Sequence, residues 1–232
     1  MICQYYTKLY ARSLDRLWYN GGMERLTIQV GTFEVNCSIL SEDGKAWIVD
    51  PGNEGERIVD LLAQKGLEPA AILLTHAHFD HIGAIPALQK AFPELPVYIH
   101  EKDQMMIGHH LNQLPPDYPL VEGLKGLKGL EGLKGLDGLE VIETPGHTPG
   151  GVCYYFQNFQ TSQTAKPLHL LLSGDTLFAG SVGRTDLPGG DMATLMKSLE
   201  KLIALPDDTL VIPGHGPHTT IAAEKRGNPF LR

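Results

Sequence analysis

Four short strand-like runs in this chain each stop at a histidine or an aspartate. Residues 71–74 lead into Thr75-His76-Ala77-His78-Phe79-Asp80-His81. Residues 139–143 lead into Thr144-Pro145-Gly146-His147, residues 168–172 into Ser173-Gly174-Asp175, and residues 210–212 into Pro213-Gly214-His215. Runs of this length bounded by turn residues read as strands. The glycines and prolines at their ends make tight loops that present one polar side chain each. Seven metal-ligating side chains therefore sit just past four strands. Strands alternating with single amphipathic helices, with ligands on the strand-end loops, predict two sheets with helices outside.

The first loop is the densest. His76 and His78 are two residues apart at the end of a strand, so both imidazoles can face one ion. Asp80 and His81 follow where the chain turns into a helix, which can swing them toward a second ion. A lone loop histidine is ordinarily a surface group. Three imidazoles and a carboxylate within six residues, directly after a buried strand, favour a metal site. Such ligands suit zinc, iron or manganese rather than calcium or magnesium.

Composition sets the outer bounds. With 232 residues and a net charge of −8, the chain reads as a globular protein without the basic stripe of a nucleic-acid surface. Cys3, Cys37 and Cys153 are an odd number with no Cys-x-x-Cys pair. They predict a reducing, cytoplasmic setting, with Cys37 and Cys153 as small core residues. No apolar run is long enough to span a bilayer.

Residues 1–22 carry Lys8, Arg12 and Arg16 at helical spacing. They read as a loosely ordered extension without catalytic role, with a targeting presequence as the alternative. Residues 23–232 read as one domain. Strands are expected at 26–30, 35–40, 46–49, 97–100 and 152–156 besides those above. Helices are expected at 54–65, 82–91, 101–110 and 192–203, with a short one after 219. Asp50, before Pro51-Gly52, is a turn-initiating residue or an acceptor that orients the metal loop. Residues 122–139 repeat Gly-Leu-x with a period of three, which fits neither helix nor strand, so an irregular connection is expected there. Residues 161–166 read as a polar hairpin tip. His100, His109, His110, His169 and His218 read as structural or exposed.

His76-x-His78-x-Asp80-His81, the lone His147, Asp175 and His215 resemble the metallo-β-lactamase superfamily in order and approximate spacing. The segments 144–150, Gly183-Arg184-Thr185-Asp186, Pro213-Gly214-His215-Gly216 and 224–230 look like its glyoxalase II-like branch, the hydroxyacylglutathione hydrolases. The small bacterial type, which lacks the long helical C-terminal region, is the nearer match. The resemblance implies an α+β fold, a four-layer αβ/βα sandwich. It implies one ion on His76, His78 and His147, a second on Asp80, His81 and His215, and Asp175 bridging. Two divalent cations are expected, zinc first, with iron or manganese accepted, and Asp80 and Asp175 take the catalytic roles.

Two Lewis acids sharing one water lower its pKa toward neutrality, so hydroxide is available without a dedicated base. Its attack on a thioester carbonyl releases a thiolate, and S-D-lactoylglutathione is the expected substrate. Lys225 and Arg226 are candidates for its carboxylates and equally for solvated surface. Arg184 is a third candidate, with pairing to Asp186 as the preferred role. The rival readings are a persulfide dioxygenase using one iron on two histidines and an aspartate, an RNA phosphodiester hydrolase, and a metal-binding module without activity. The expected partner is a small thioester, with neither nucleic acid nor membrane involved.

Overall fold

The computed structural model describes residues 15–17, 23–107, 124–125, 127, 136, 138–159 and 168–232. Most of the extension, His109 and His110, most of the Gly-Leu-x repeat and the 161–166 hairpin tip lie outside the described residues. Among the described residues, a seven-stranded sheet runs in the order β1 (Asp15–Leu17), β2 (Glu24–Val30), β3 (Val35–Glu42), β4 (Lys45–Val49), β5 (Glu68–Leu73), β6 (Val97–Tyr98), β7 (Leu124–Lys125). A five-stranded sheet runs β14 (Thr219–Thr220), β13 (Leu210–Pro213), β10 (Leu168–Gly174), β9 (Val152–Phe159), β8 (Leu139–Glu143). A small hairpin, β11 (Leu177–Phe178) with β12 (Ser181–Val182), completes the strands. The helices are α1 (Gly55–Lys65), α2 (Phe79–Ile82), α3 (Ile85–Ala91), α4 (Glu101–Gln104), α5 (Met192–Ile203) and α6 (Ile221–Gly227).

Strand alternation builds three apolar seams. Successive side chains of a strand point to opposite faces. Ile39, Ile48, Ile72 and Leu74 pack toward Ile58 and Leu62 of α1 and Ile85 and Leu88 of α3. Their neighbours Leu40, Trp47, Val49 and Leu73 face the other sheet, meeting Tyr154, Phe156, Leu170, Leu172 and Ile212. On the far side Cys153, Tyr155, Leu171 and Val211 pack on Leu195, Leu199 and Leu202 of α5 and Ile221 of α6. Helices, sheet, sheet and helices form the four layers the resemblance implies. A strand buried on both faces reads as a continuous apolar run, which is why 71–74 and 168–172 stand out in the sequence. Cys37 and Cys153 are free and fully buried, as expected.

Several boundaries differ from expectation. The helix expected over 82–91 is broken into α2 and α3. At the break the Ala84 amide donates to the Pro51 carbonyl at 2.9 Å, and a Cβ on Gly83 would run into the Gly52 carbonyl oxygen. The break lets the start of this segment dock against the turn that carries Asp50. The strand expected at 97–100 is two residues long, and α4 covers only Glu101–Gln104 of the helix expected to reach His110. Within the expected loose extension, Asp15–Leu17 adds an antiparallel edge to β2. Within the expected irregular repeat, Leu124–Lys125 pairs in parallel with β6. Residues 177–182, for which no strand was expected, form the β11–β12 hairpin. No helix among the described residues is long and apolar enough to cross a membrane.

Candidate metal centre

The loops after β5, β10 and β13 and the start of β9 are stitched together at one end of the sandwich. Val152 N donates to Thr75 O at 2.9 Å, and Gly214 N donates to Gly174 O at 2.8 Å. Asn36, at the start of β3, donates its amide to Gly214 O at 2.8 Å and its side-chain nitrogen to Pro213 O at 2.9 Å. Side chains 134 positions apart in sequence, His81 and His215, thereby come within 3.3 Å at their Nε2 atoms.

Two groups of ligand atoms form there. His76, His78 and His147 make one, and Asp80, His81 and His215 the other, with each group's atoms within 4.8 Å of one another. In the first, the rings lie 4.8, 4.9 and 4.6 Å apart, edge to face, and His147 Nε2 is 2.9 Å from His78 Nδ1. In the second, His215 Nε2 is 3.3 Å from Asp80 Oδ2. Asp175 stands between them. Its Oδ2 is 3.5 Å from His147 Nε2 and 3.7 Å from His215 Nε2, and its Oδ1 is 3.4 Å from His81 Nε2. Two nitrogens on one tetrahedral ion would stand roughly 3.3 Å apart, given metal–nitrogen bonds of about 2.05 Å. The spacings of 2.9 and 3.3 Å lie close to that.

The far sides of the rings decide which nitrogens face inward. His147 Nδ1 donates to the Arg184 carbonyl at 2.7 Å, and His215 Nδ1 donates to the Phe33 carbonyl at 2.8 Å. That leaves each Nε2 lone pair for the centre, the usual way a ligating imidazole is oriented. His81 Nδ1 lies 3.0 Å from Asp50 Oδ2. Asp50 also accepts from Thr75 N at 2.8 Å and from Thr75 Oγ1 at 2.6 Å. Both open readings of Asp50 therefore hold: it sits at φ 50° in the turn, and it fixes the ligand loop. Asp50, His76 and His81 also lie close enough to form a third ligand group. Because both Asp50 oxygens are already engaged, orientation is the better account of it.

Charge and burial work against each other across the cluster. Burial, with nearby His147 and His81, pushes His78 down to about 4. Burial and the surrounding imidazoles push His76 well down. Burial also disfavours the charged forms of His81 and Asp175, yet their attraction outweighs it. Asp175 and Asp50 hold His81 well above its ordinary value, and His81, His147 and His215 hold Asp175 well below its own. Burial opposes the charge on Asp80 too, but the hydrogen bond with His215 lowers it. His76 and His78, pushed toward the neutral imidazole, and the ionised carboxylates are in the protonation states a cation needs, whereas His81 gives up a proton when one binds. Buried His76 Nε2 and Asp175 Oδ1 have no hydrogen-bond partner among the described residues. Polar atoms are rarely buried without a partner, and atoms of ligand type aimed into one cluster fit a bound cation.

A cavity of about 520 Å³ opens over the centre. His78, Asp80, His147, Asp175 and His215 line its deep end, and Phe33, Phe79, Met105, Met106 and Leu187 its apolar wall. Of the three candidate substrate contacts only Arg184 lines it. Arg184 is also bound to Asp186 through two hydrogen bonds of 2.7 and 2.6 Å, the role preferred from sequence. Lys225 lies on α6 and pairs with Asp207 at 2.6 Å, and Arg226 lies on the same helix, so neither reaches the cavity. The end of the chain packs beside β12, where Asn228 Nδ2 donates to Ser181 O, and this carries both residues away from the mouth. A second cation lines the cavity, Lys102, and nothing in its local sequence marks it. Among the described residues no carboxylate pairs with it. His100 is not a ligand either: its Nδ1 accepts from Lys102 N at 3.1 Å and caps α4.

The family model described as the metallo-beta-lactamase superfamily matches residues 30–215. The chain belongs to the metallo-β-lactamase superfamily. Among superfamily relatives, it is 42% identical over 215 residues to the probable metallo-hydrolase YqgX of Bacillus subtilis, covering 87% of this chain and 94% of that one. It is 37% identical over 212 residues to the hydroxyacylglutathione hydrolase GloC of Haemophilus influenzae, covering 88% and 96%. It is similar in structure to TTHA1623, crystallised in a di-iron-bound form, at 40% identity and a TM-score of 0.69, covering 88% and 99%.

Proposed function

We propose that this superfamily member is a metal-dependent hydrolase of acyl thioesters, with S-D-lactoylglutathione as its substrate. In this reading His76, His78 and His147 hold one divalent cation, and Asp80, His81 and His215 hold a second. The observation that carries it is the position of Asp175, whose two oxygens face both groups at the deep end of the cavity. When bound, the cations supply Lewis acidity, which lowers the pKa of water and offsets charge developing on a carbonyl oxygen.

The chain's own residues do the rest. Asp175 and Asp80 remain ionised and set the charge of the centre. The Arg184 carbonyl and the Phe33 carbonyl hold the His147 and His215 rings in place. Phe33 and Phe79, packed edge to face at 5.4 Å, wall off the acyl group from water. Lys102 offers a cation to a substrate carboxylate. A departing thiolate has a conjugate-acid pKa near ~8.5, so no strong protein acid is required. The GloC relative supports the glutathione-derived substrate.

The test is elemental analysis of the purified protein beside a panel of thioesters and an oxygen-uptake assay with glutathione persulfide. Two ions per chain and turnover of S-D-lactoylglutathione are expected, with His76→Ala and Asp175→Ala lowering kcat/KM at least 100-fold. One iron per chain with oxygen uptake would sink the hydrolase reading, as would full activity in either variant.

A further inference from the structure

Asp103 is fully buried, yet it makes no contribution to the chemistry described so far. Its carboxylate leaves its own short helix and reaches two distant loops. Oδ2 accepts from Ala77 N at 3.2 Å, and Oδ1 accepts from Gly150 N at 2.6 Å. Ala77 lies between His76 and His78. Gly150 lies three residues past His147. One carboxylate thus grips both loops that carry the first ligand group, across 26 and 47 positions of sequence.

The second group is held by other means. His81 N donates to His78 O, Asp50 faces the His81 ring, and Phe33 O fixes the ring of His215. The Asp103 carboxylate packs tightly on its second loop, since a Cβ on Gly150 would come within 2.7 Å of Oδ1. A buried carboxylate accepting two backbone N–H groups is strongly directional, because its two oxygens are committed to donors on different loops.

We propose that Asp103 is a positioning residue for the cation site formed by His76, His78 and His147, and sets that site's affinity separately from the Asp80–His81–His215 site. The proposal rests on the two-site reading above. An orienting partner one shell behind a metal ligand typically changes affinity 10–100-fold. Asp103→Asn keeps the size of the side chain but replaces one acceptor oxygen with an NH2 that must face a backbone N–H. Gly150→Ala leaves the carboxylate intact and wedges a methyl group into the same contact.

Apoprotein of the wild type and both variants would be titrated with Co²⁺ alone, following the visible absorption of the bound ion and competition with a chromophoric chelator. Wild type is expected to bind two equivalents. Both variants are expected to lose 10–100-fold in affinity for one equivalent, with an altered absorption band for it, and to keep the other within threefold. Equal weakening of both equivalents, or wild-type binding of both, overturns the proposal. Should Asp103→Asn fail to fold, Gly150→Ala decides by the same criteria. A wild type that binds no Co²⁺ would instead overturn the two-site reading itself.

Discussion

At the residue scale the proposed thioester reading is tested at Lys102, which lines the cavity. Arg184 is largely neutralised by Asp186, whereas Lys102 meets the cavity with no carboxylate partner among the described residues. An exposed charge acts through attraction and encounter rather than through chemistry. Lys102→Gln is therefore expected to raise KM for an anionic glutathione thioester about 3–10-fold at low salt, an interaction of roughly 1 kcal/mol, with kcat unchanged. A neutral thioester should show no such change. Steady-state kinetics with both substrates checks this, and a fall in kcat with constant KM would remove Lys102 from binding. Lys225→Gln, by contrast, should leave KM unaltered, because its partner is Asp207 on the far side.

At the element scale the loop of His147 is pressed against α5. Asp191 N donates to Gly146 O at 2.8 Å, and the Asp191 side chain caps the helix through Thr194 N at 2.7 Å. Gly146 has φ 136°, and a Cβ there would run into the backbone of Leu195. Gly146→Ala must displace either the helix or the loop. Overpacking costs typically about 1–3 kcal/mol, and the unfavourable φ adds about 1–2 kcal/mol. Gly44→Ala is the control, since Gly44 also has positive φ, 79°, but meets nothing within 4 Å. Thermal melts should show Gly146→Ala falling at least twice as far as Gly44→Ala. Equal shifts would mean that the contact with α5 carries no load.

At the scale of the whole molecule, the centre is where the two sheets are tied, so the two-cation reading predicts that binding and folding are coupled. A ligand that binds only the folded state at 100 times its Kd stabilises it by about 2.7 kcal/mol. For a chain of this size each kcal/mol is worth roughly 2–4 °C in Tm. Chelator-treated protein is expected to melt about 5–11 °C lower than protein restored with Zn²⁺, in a calorimetric scan. Zinc that binds in two equivalents without moving Tm would show that the ligand loops are not coupled to the core. The same pair of sheets explains why the site lies where it does: β5, β10 and β13 are apolar on both faces, and their polar continuations can only emerge at the strand ends.

Local pattern alone marked the longer strands, most helices and the seven residues proposed as ligands, because burial period and ligand chemistry are properties of a residue and its near neighbours. The helix at 192–203 and the strand at 139–143 coincide with α5 and β8 to the residue. What tertiary structure alone decided is pairing at a distance. It turned Asp50 and Asp103 from ordinary acids into clamps on the ligand loops, broke the helix at Gly83 against the Asp50 turn, and brought Lys102 to the cavity while carrying Lys225 and Arg226 away. Each of those outcomes depends on a contact between segments far apart in the chain, and a periodicity of two or of 3.6 residues records which face is buried, never which partner it meets.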